Sequence, residues 1–434
     1  MKKILIKKGT VVFPQRGVLQ DADILVEDGL VARVGKGIED TQACPVNASN
    51  LLVGPGFINL HVHLREPGRE TEENLWSGSR AAARGGFTSV VSMPNTHPPI
   101  DNPLLVRYLL FRAKEIGLIN IFPAGAITVG LEGKEMAEYG LLKEAGIIAL
   151  SDDGRGVQDA RLLYLAFQYA QYFHLPFILH EEDEGLSRGG EVSEGKVSAL
   201  LGKRAIPRVA EESLMARDLV LAFRTGARVH FTHLSTALQV ELLRWFQKKM
   251  PVSADVTPHH LLLTEEDVLQ WGSEAKVKPP LRSLEDQKAL KEGVKEGVIS
   301  ILASDHAPHP PEDKSLSFSE APFGISNLEI AVPLYVKALI EEGIINWVEL
   351  WEKLSYNPAL FLGLNNKGIL EEGKDADITI VDPGTRKKVK VSDFESRGKN
   401  CPFENWSLLG WRLYTIVGGR MVMAEGSIVE DEFC

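Results

Sequence analysis

Between Val53 and about Gly363 the chain alternates short apolar runs with stretches whose apolar residues recur every three or four positions. Eight runs can be counted. They are VGPGFINLHVH (53–63), FTSVVSMPN (87–95), NIFPAGAIT (120–128), GIIALSDDG (146–154), LPFILHEED (175–183), RVHFTHLS (228–235), PVSADVTPHH (251–260) and VISILASDHAPH (298–309). Between them lie stretches with helical spacing, such as EENLWSGSRAAARGG, LLVRYLLFRAKEIG, ARLLYLAFQYAQYFH and AEESLMARDLVLAFRTG. Eight strand–helix units in series predict an α/β protein with a closed parallel (β/α)8 TIM barrel; a doubly wound open sheet is the alternative.

The chain ends follow a different pattern. Residues 2–53 and the C-terminal segments DADITIVDP (375–383) and YTIVGGRMVMAEG (414–426) read as short strands bounded by Gly, Asp and Asn. Strand-rich ends leave edges that need partners, and chain termini commonly lie close together. The two ends are therefore expected to pair into one small β-sandwich. The expected division is 1–53 and 366–434 for the sandwich and 54–365 for the barrel.

Several barrel runs end in residues that bind metals. The first ends at His61 and His63, the fourth at Asp152 and Asp153, the fifth at His180, the sixth at His233 and the eighth at Asp305. A lone histidine is usually structural, and SDDG alone reads as a turn or helix cap. HxH on a strand is different, because residues two apart point the same way. Active sites of such barrels form at the C-terminal strand ends, so these endings would converge on one point. Imidazole and carboxylate ligands suit zinc or a similar ion. Four histidines and two aspartates fill two adjacent sites if one carboxylate bridges, and an aspartate beside an activated water can carry its proton.

Composition narrows the picture. An apolar share of 44% supports a large core. The net charge of −11 and the lack of a Lys/Arg-rich block argue against nucleic acid as a partner. No run is long enough for a signal peptide or a membrane span, so a cytoplasmic enzyme without membrane contact is expected.

The segments PGFINLHVHLREPG (55–68), GGFTSVVSMPNT (85–96), SDDG (151–154), SDHAPH (304–309) and APFGI (321–325) together resemble the type I dihydroorotases, cyclic amidohydrolases of the amidohydrolase superfamily. The resemblance covers nearly the whole chain. It implies reversible cyclisation of N-carbamoyl-L-aspartate to (S)-dihydroorotate, a step of pyrimidine synthesis. It also implies one or two zinc ions, with two expected. By position, His61 and His63 resemble the first-metal ligands, Asp153 the bridging carboxylate, and His180 and His233 the second-metal ligands. Asp305 resembles a ligand that is also the catalytic acid/base. The substrate side falls to His63, Arg65, Asn95, Lys278, His309 and the Phe323–Gly324 backbone. The planar guanidinium of Arg65, two residues after the HxH pair, independently suits a carboxylate.

Two positions depart from the family pattern. Asn59 stands where an aspartate is usual, and Lys278 where an asparagine contacts substrate. Hydantoinases and allantoinases place a carboxylated lysine after the fourth strand, whereas this chain has SDDG there. Hydrolysis of another cyclic ureide remains an alternative, as does an inactive scaffold bound to aspartate carbamoyltransferase. The expected partners are a small-molecule substrate, a carbamoyltransferase of that kind and further copies of the chain. The Pro-rich, charged stretch 309–322 is expected to be a mobile loop near the site.

Overall fold

The computed structural model describes residues 3–430. Eight parallel strands form its centre: β1 (Phe57–Val62), β2 (Phe87–Ser92), β3 (Asn120–Ala126), β4 (Ala149–Ser151), β5 (Phe177–Leu179), β6 (Val229–Phe231), β7 (Ser253–Val256) and β8 (Ile301–Leu302). Each lies inside one of the eight apolar runs, and they hydrogen-bond in sequence order. Residues of β1 and β2 are buried on both faces. This is why these strands read as continuous apolar runs rather than alternating ones. The first and last strands then meet. Val62 bridges His306, and the His63 amide donates to the His306 carbonyl at 2.9 Å. The sheet is thus a barrel, and the open-sheet alternative fails.

Helices cover the outside where the three- and four-residue spacing placed them: Leu75–Arg84, Pro103–Ile116, Ala160–Gln171 and Val209–Thr225. Their starts are chemically marked. The Asn74 side chain accepts from the Ser77 amide in a capping box, and Asn102 and Asp159 cap the next two of these four helices. Such caps satisfy amides that a helix leaves unpaired at its first turn.

The two chain ends build one nine-stranded sheet. Strand Leu52–Pro55 joins them: it runs parallel to Ile4–Phe13 and antiparallel to Ile378–Asp382. The hairpin between Val18–Glu27 and Leu30–Gly35 folds back on the C-terminal part, with the Val31 amide donating to Lys374 O and the Ala376 amide to Gly29 O. An apolar cluster including Ile6, Ile24, Val53, Ile378 and Ile416 fills the interior. At the passage into the barrel, a Cβ on Gly54 would lie 2.1 Å from Trp351 Nε1, so only glycine fits against that indole. Trp351 Nε1 donates to Pro55 O there, fixing where β1 begins. Among the described residues no helix is long and apolar enough to cross a membrane.

Candidate metal centre and substrate cavity

The polar residues at the strand ends converge. His61 lies on β1, and His63 follows it directly; Asp153 follows β4, His180 follows β5, His233 follows β6 and Asp305 follows β8. All six are buried. His61 Nε2 lies 3.2 Å from Asp153 Oδ1 and 3.4 Å from Asp305 Oδ1. His63 Nε2 lies 3.1 Å from Asp305 Oδ1 and 3.5 Å from Asp153 Oδ2. His180 Nδ1 is 2.9 Å from His233 Nε2 and 3.6 Å from Asp153 Oδ1. Two triads, His61–Asp153–His233 and His61–His63–Asp305, each bring their ligand atoms within 4.8 Å of one another.

The charges in this cluster call for a cation. Burial opposes charge on His61, yet Asp153 and Asp305 raise its pKa to about 9. Burial likewise opposes charge on His180, and Asp153 and Glu182 raise it to about 9. Burial would push Asp153 and Asp305 up, but the neighbouring histidines hold both below the usual carboxylate range. Three atoms, His61 Nε2, Asp153 Oδ1 and His180 Nε2, are buried without a hydrogen-bond partner. Buried polar atoms are seldom left unpaired. Histidine nitrogens and carboxylate oxygens gathered this way fit a divalent metal ion.

Surrounding residues orient the cluster. Asp255 on β7 accepts from the His233 amide at 2.7 Å, from Thr232 Oγ1 at 2.9 Å and from His230 Nε2 at 2.8 Å. The role of Asp255 was not legible in the run PVSADVTPHH, although period-two spacing from Ser253 puts it on the same face. Asp152 turns away from the centre. It accepts from the Ile127 and Thr128 amides, holding the loop after β3, and burial raises its pKa to about 7. Asn59 does not touch an imidazole either. It accepts from the His61 and Ser304 amides and donates to Ser304 Oγ at 2.7 Å, so its amide ties β1 to the end of β8. Donating and accepting at once suits an asparagine there better than an ionised aspartate.

Above this floor lies a cavity of about 130 Å3 walled by Arg65, Asn95, Lys278, Phe323 and Gly324. Asn95 Oδ1 lies 3.0 Å from His63 Nδ1, and its Nδ2 lies 3.4 Å from Asp153 Oδ2. Arg65 is buried, which lowers its pKa to about 10, and its Nε meets Glu72 Oε2 at 3.2 Å. His309 is not on the cavity wall. It stands behind Arg65, with Nε2 3.3 Å from Arg65 Nη2 and Nδ1 3.2 Å from Glu72 Oε2. Lys278 reaches Glu182 Oε1 at 2.8 Å, and Glu182 Oε2 lies 3.9 Å from His180 Nε2. Glu72 escaped the sequence reading because it ends no strand; Glu182 lies in the fifth run, LPFILHEED, where His180 ahead of it is the more evident ligand. Arg65, His233 and Asp305 have φ of +60°, +42° and +44°, a conformation costing roughly 1–2 kcal/mol per non-glycine residue. Strain of this kind collects at functional sites.

The stretch expected to be a mobile loop is instead laced to the barrel. Lys276 Nζ donates to Phe318 O at 2.6 Å and to Ala321 O at 2.7 Å. The buried Lys314 Nζ donates to Pro322 O and Gly324 O, both at 3.0 Å.

Comparison with known proteins agrees with this geometry. Residues 50–238 match the model of the dihydro-orotase-like family. The chain is 46% identical to the dihydroorotase of Pelotomaculum thermopropionicum, over 98% of this chain and 99% of that one. It is 44% identical to the dihydroorotase of Ruminiclostridium cellulolyticum, over 97% and 98%. Among solved structures, the L-hydantoinase (dihydropyrimidinase) of Arthrobacter aurescens superposes with a TM-score of 0.88 at 26% identity, covering 100% of this chain and 98% of that one. The D-hydantoinase (dihydropyrimidinase) of a Thermus species, with a TM-score of 0.83 at 23% identity over 99% and 97%, shares the fold. With a barrel whose strand ends gather histidines and aspartates, and with full-length relatives at this identity, the chain belongs to the dihydroorotase family.

Proposed function

We propose that this chain is a metal-dependent dihydroorotase of pyrimidine synthesis. It cyclises N-carbamoyl-L-aspartate to (S)-dihydroorotate and hydrolyses the ring in reverse. The observation that carries the reading is one cavity combining a His/Asp floor with a buried arginine on its wall. The floor suits water attack on an amide, and the arginine suits an acidic substrate.

His61, His63, Asp153, His180, His233 and Asp305 would hold the metal, proposed as two zinc ions. When bound, such ions polarise a carbonyl and lower the pKa of water from about 15.7 to about 7. Arg65 and Asn95 grip the substrate carboxylate and align the ring amide over the floor. Lys278 adds a second positive charge on the same wall. Phe323 and Gly324 close the cavity beside it, and His309 acts on the substrate through Arg65. Asp305, kept ionised by its histidine neighbours, accepts the proton of the attacking water and passes it to the ring nitrogen as the C–N bond breaks. In the cyclising direction it takes the proton from the ureido nitrogen and gives it to the departing oxygen.

Hydrolysis of an uncharged cyclic ureide is the second reading, drawn from the likeness to hydantoinases. The buried Arg65 and the absence of a lysine after β4 weigh against it. An inactive scaffold is disfavoured by six intact candidate ligands in one cluster. Location in the cytoplasm, self-association and docking to aspartate carbamoyltransferase belong to the same proposal. Turnover of dihydroorotate, N-carbamoyl-L-aspartate, allantoin and hydantoin by zinc-loaded protein tests it. Preference for an uncharged ring would overturn the assignment.

A further inference from the structure

A second cavity, of about 290 Å3, shares no lining residue with the first. It opens where the C-terminal end of helix Leu75–Arg84 meets the segment after β8, the short strand Lys387–Lys388 and the end-sheet strand Trp411–Val417. Its volume lies at the lower edge of that of small-molecule sites, room for a small ion rather than a large cofactor.

The lining is rich in cations. Arg84, Lys387, Lys388, Lys390 and Arg412 face three carboxylates, Glu329, Asp393 and Glu425. In a chain of net charge −11, this is a local reversal of sign. The carboxylates are partly spoken for: Glu329 Oε2 lies 3.4 Å from Arg84 Nη1. The lysines are not. Lys387, Lys388 and Lys390 are exposed and make no ion pair within 4.0 Å among the described residues.

Arg412 lies buried behind this lining, with Nε and Nη2 donating to Arg84 O at 3.3 and 2.9 Å and Nη2 donating also to Glu329 O, so its charge backs the cavity. Five cationic residues along one lining, three of them exposed lysines without an ion pair, match a ligand with several anionic oxygens. A single carboxylate would leave most of this volume and charge unused.

We propose that this cavity binds a small anion bearing phosphoryl groups, at a site separate from the catalytic one. Calorimetric titration of the full-length, metal-loaded protein with inorganic pyrophosphate tests it. Saturable binding to one site per chain is expected, weakened about tenfold or more in the Lys387→Gln/Lys388→Gln/Lys390→Gln variant, whose basal turnover is unchanged. Pyrophosphate also chelates metals, so heat that persists unaltered in the triple variant would come from the metal floor and overturn the proposal. So would the absence of saturable binding to the wild type up to about 10 mM.

Discussion

The Thr232 hydroxyl lies 2.7 Å from His61 Nδ1 and donates to Asp255 Oδ2 at 2.9 Å. A hydroxyl has one proton, and the carboxylate of Asp255 can only accept it. Thr232 therefore accepts from His61 Nδ1–H, which leaves Nε2 as the nitrogen facing the floor of the cavity, free to bind a metal in exchange for its proton. Thr232→Val keeps the shape and removes this control. Metal affinity is expected to fall about 10- to 100-fold with the fold retained. Competition with a chelator measures it, and an unchanged affinity would refute the role.

Asp305→Asn is expected to lower kcat by a factor of about 10² to 10⁴ while leaving thermal stability close to wild type. The residue has φ of +44°, and asparagine tolerates that region better than other non-glycine residues. Backbone damage should therefore not confuse the result. A rate near wild type would remove Asp305 from the proton transfer.

Lys278→Gln should raise KM for N-carbamoyl-L-aspartate about tenfold and change kcat little, the pattern of a contact made equally in ground and transition states. Its side chain is one-third exposed, and Glu182 beneath it is buried. A fall in kcat at constant KM would give Lys278 a role in the chemical step instead.

Lys276→Met cuts the donors that hold Phe318 O and Ala321 O. Hydrogen exchange across residues 310–322 is expected to accelerate, with KM rising because Phe323 and Gly324 follow that segment on the cavity wall. Exchange equal to wild type would mean that the remaining contacts suffice.

Burial raises the Glu329 carboxyl to about 7 from its ordinary 4.5. The folded chain thus binds this proton more tightly than the unfolded one. The resulting stability is complete below about pH 4.5 and is lost as pH rises through about 7, a loss on the order of 3 kcal/mol. Glu329→Gln should flatten that decline in denaturant titrations run from pH 5 to pH 8. A parallel decline in the variant would assign the slope to other groups.

The barrel was legible because parallel strands buried on both faces leave long apolar runs, as in FTSVVS and FINLHV. The cluster of candidate metal ligands was legible because its members stand at the ends of those runs. What escaped depends on chain segments distant in sequence. Asn59 is read correctly only once Ser304 lies beside it, 245 positions later. Lys276 and Lys314 look like solvent-facing charges in a Pro-rich stretch until their carbonyl partners are seen. His309 resembled a cavity residue, yet its ring backs Arg65. The order of the nine-stranded end sheet follows from pairings between the two termini that no local pattern encodes.

The join between β8 and β1 has further meaning. Two residues form β8, and a single bridge from Val62 to His306 completes the ring. His61 and His63 stand on one side of this join and Asp305 on the other. An ion gripped by all three would act as a rivet where the cylinder is held by a single backbone bridge. Stripping it should let the wall part there first, so that cofactor loss and the onset of unfolding become one local event.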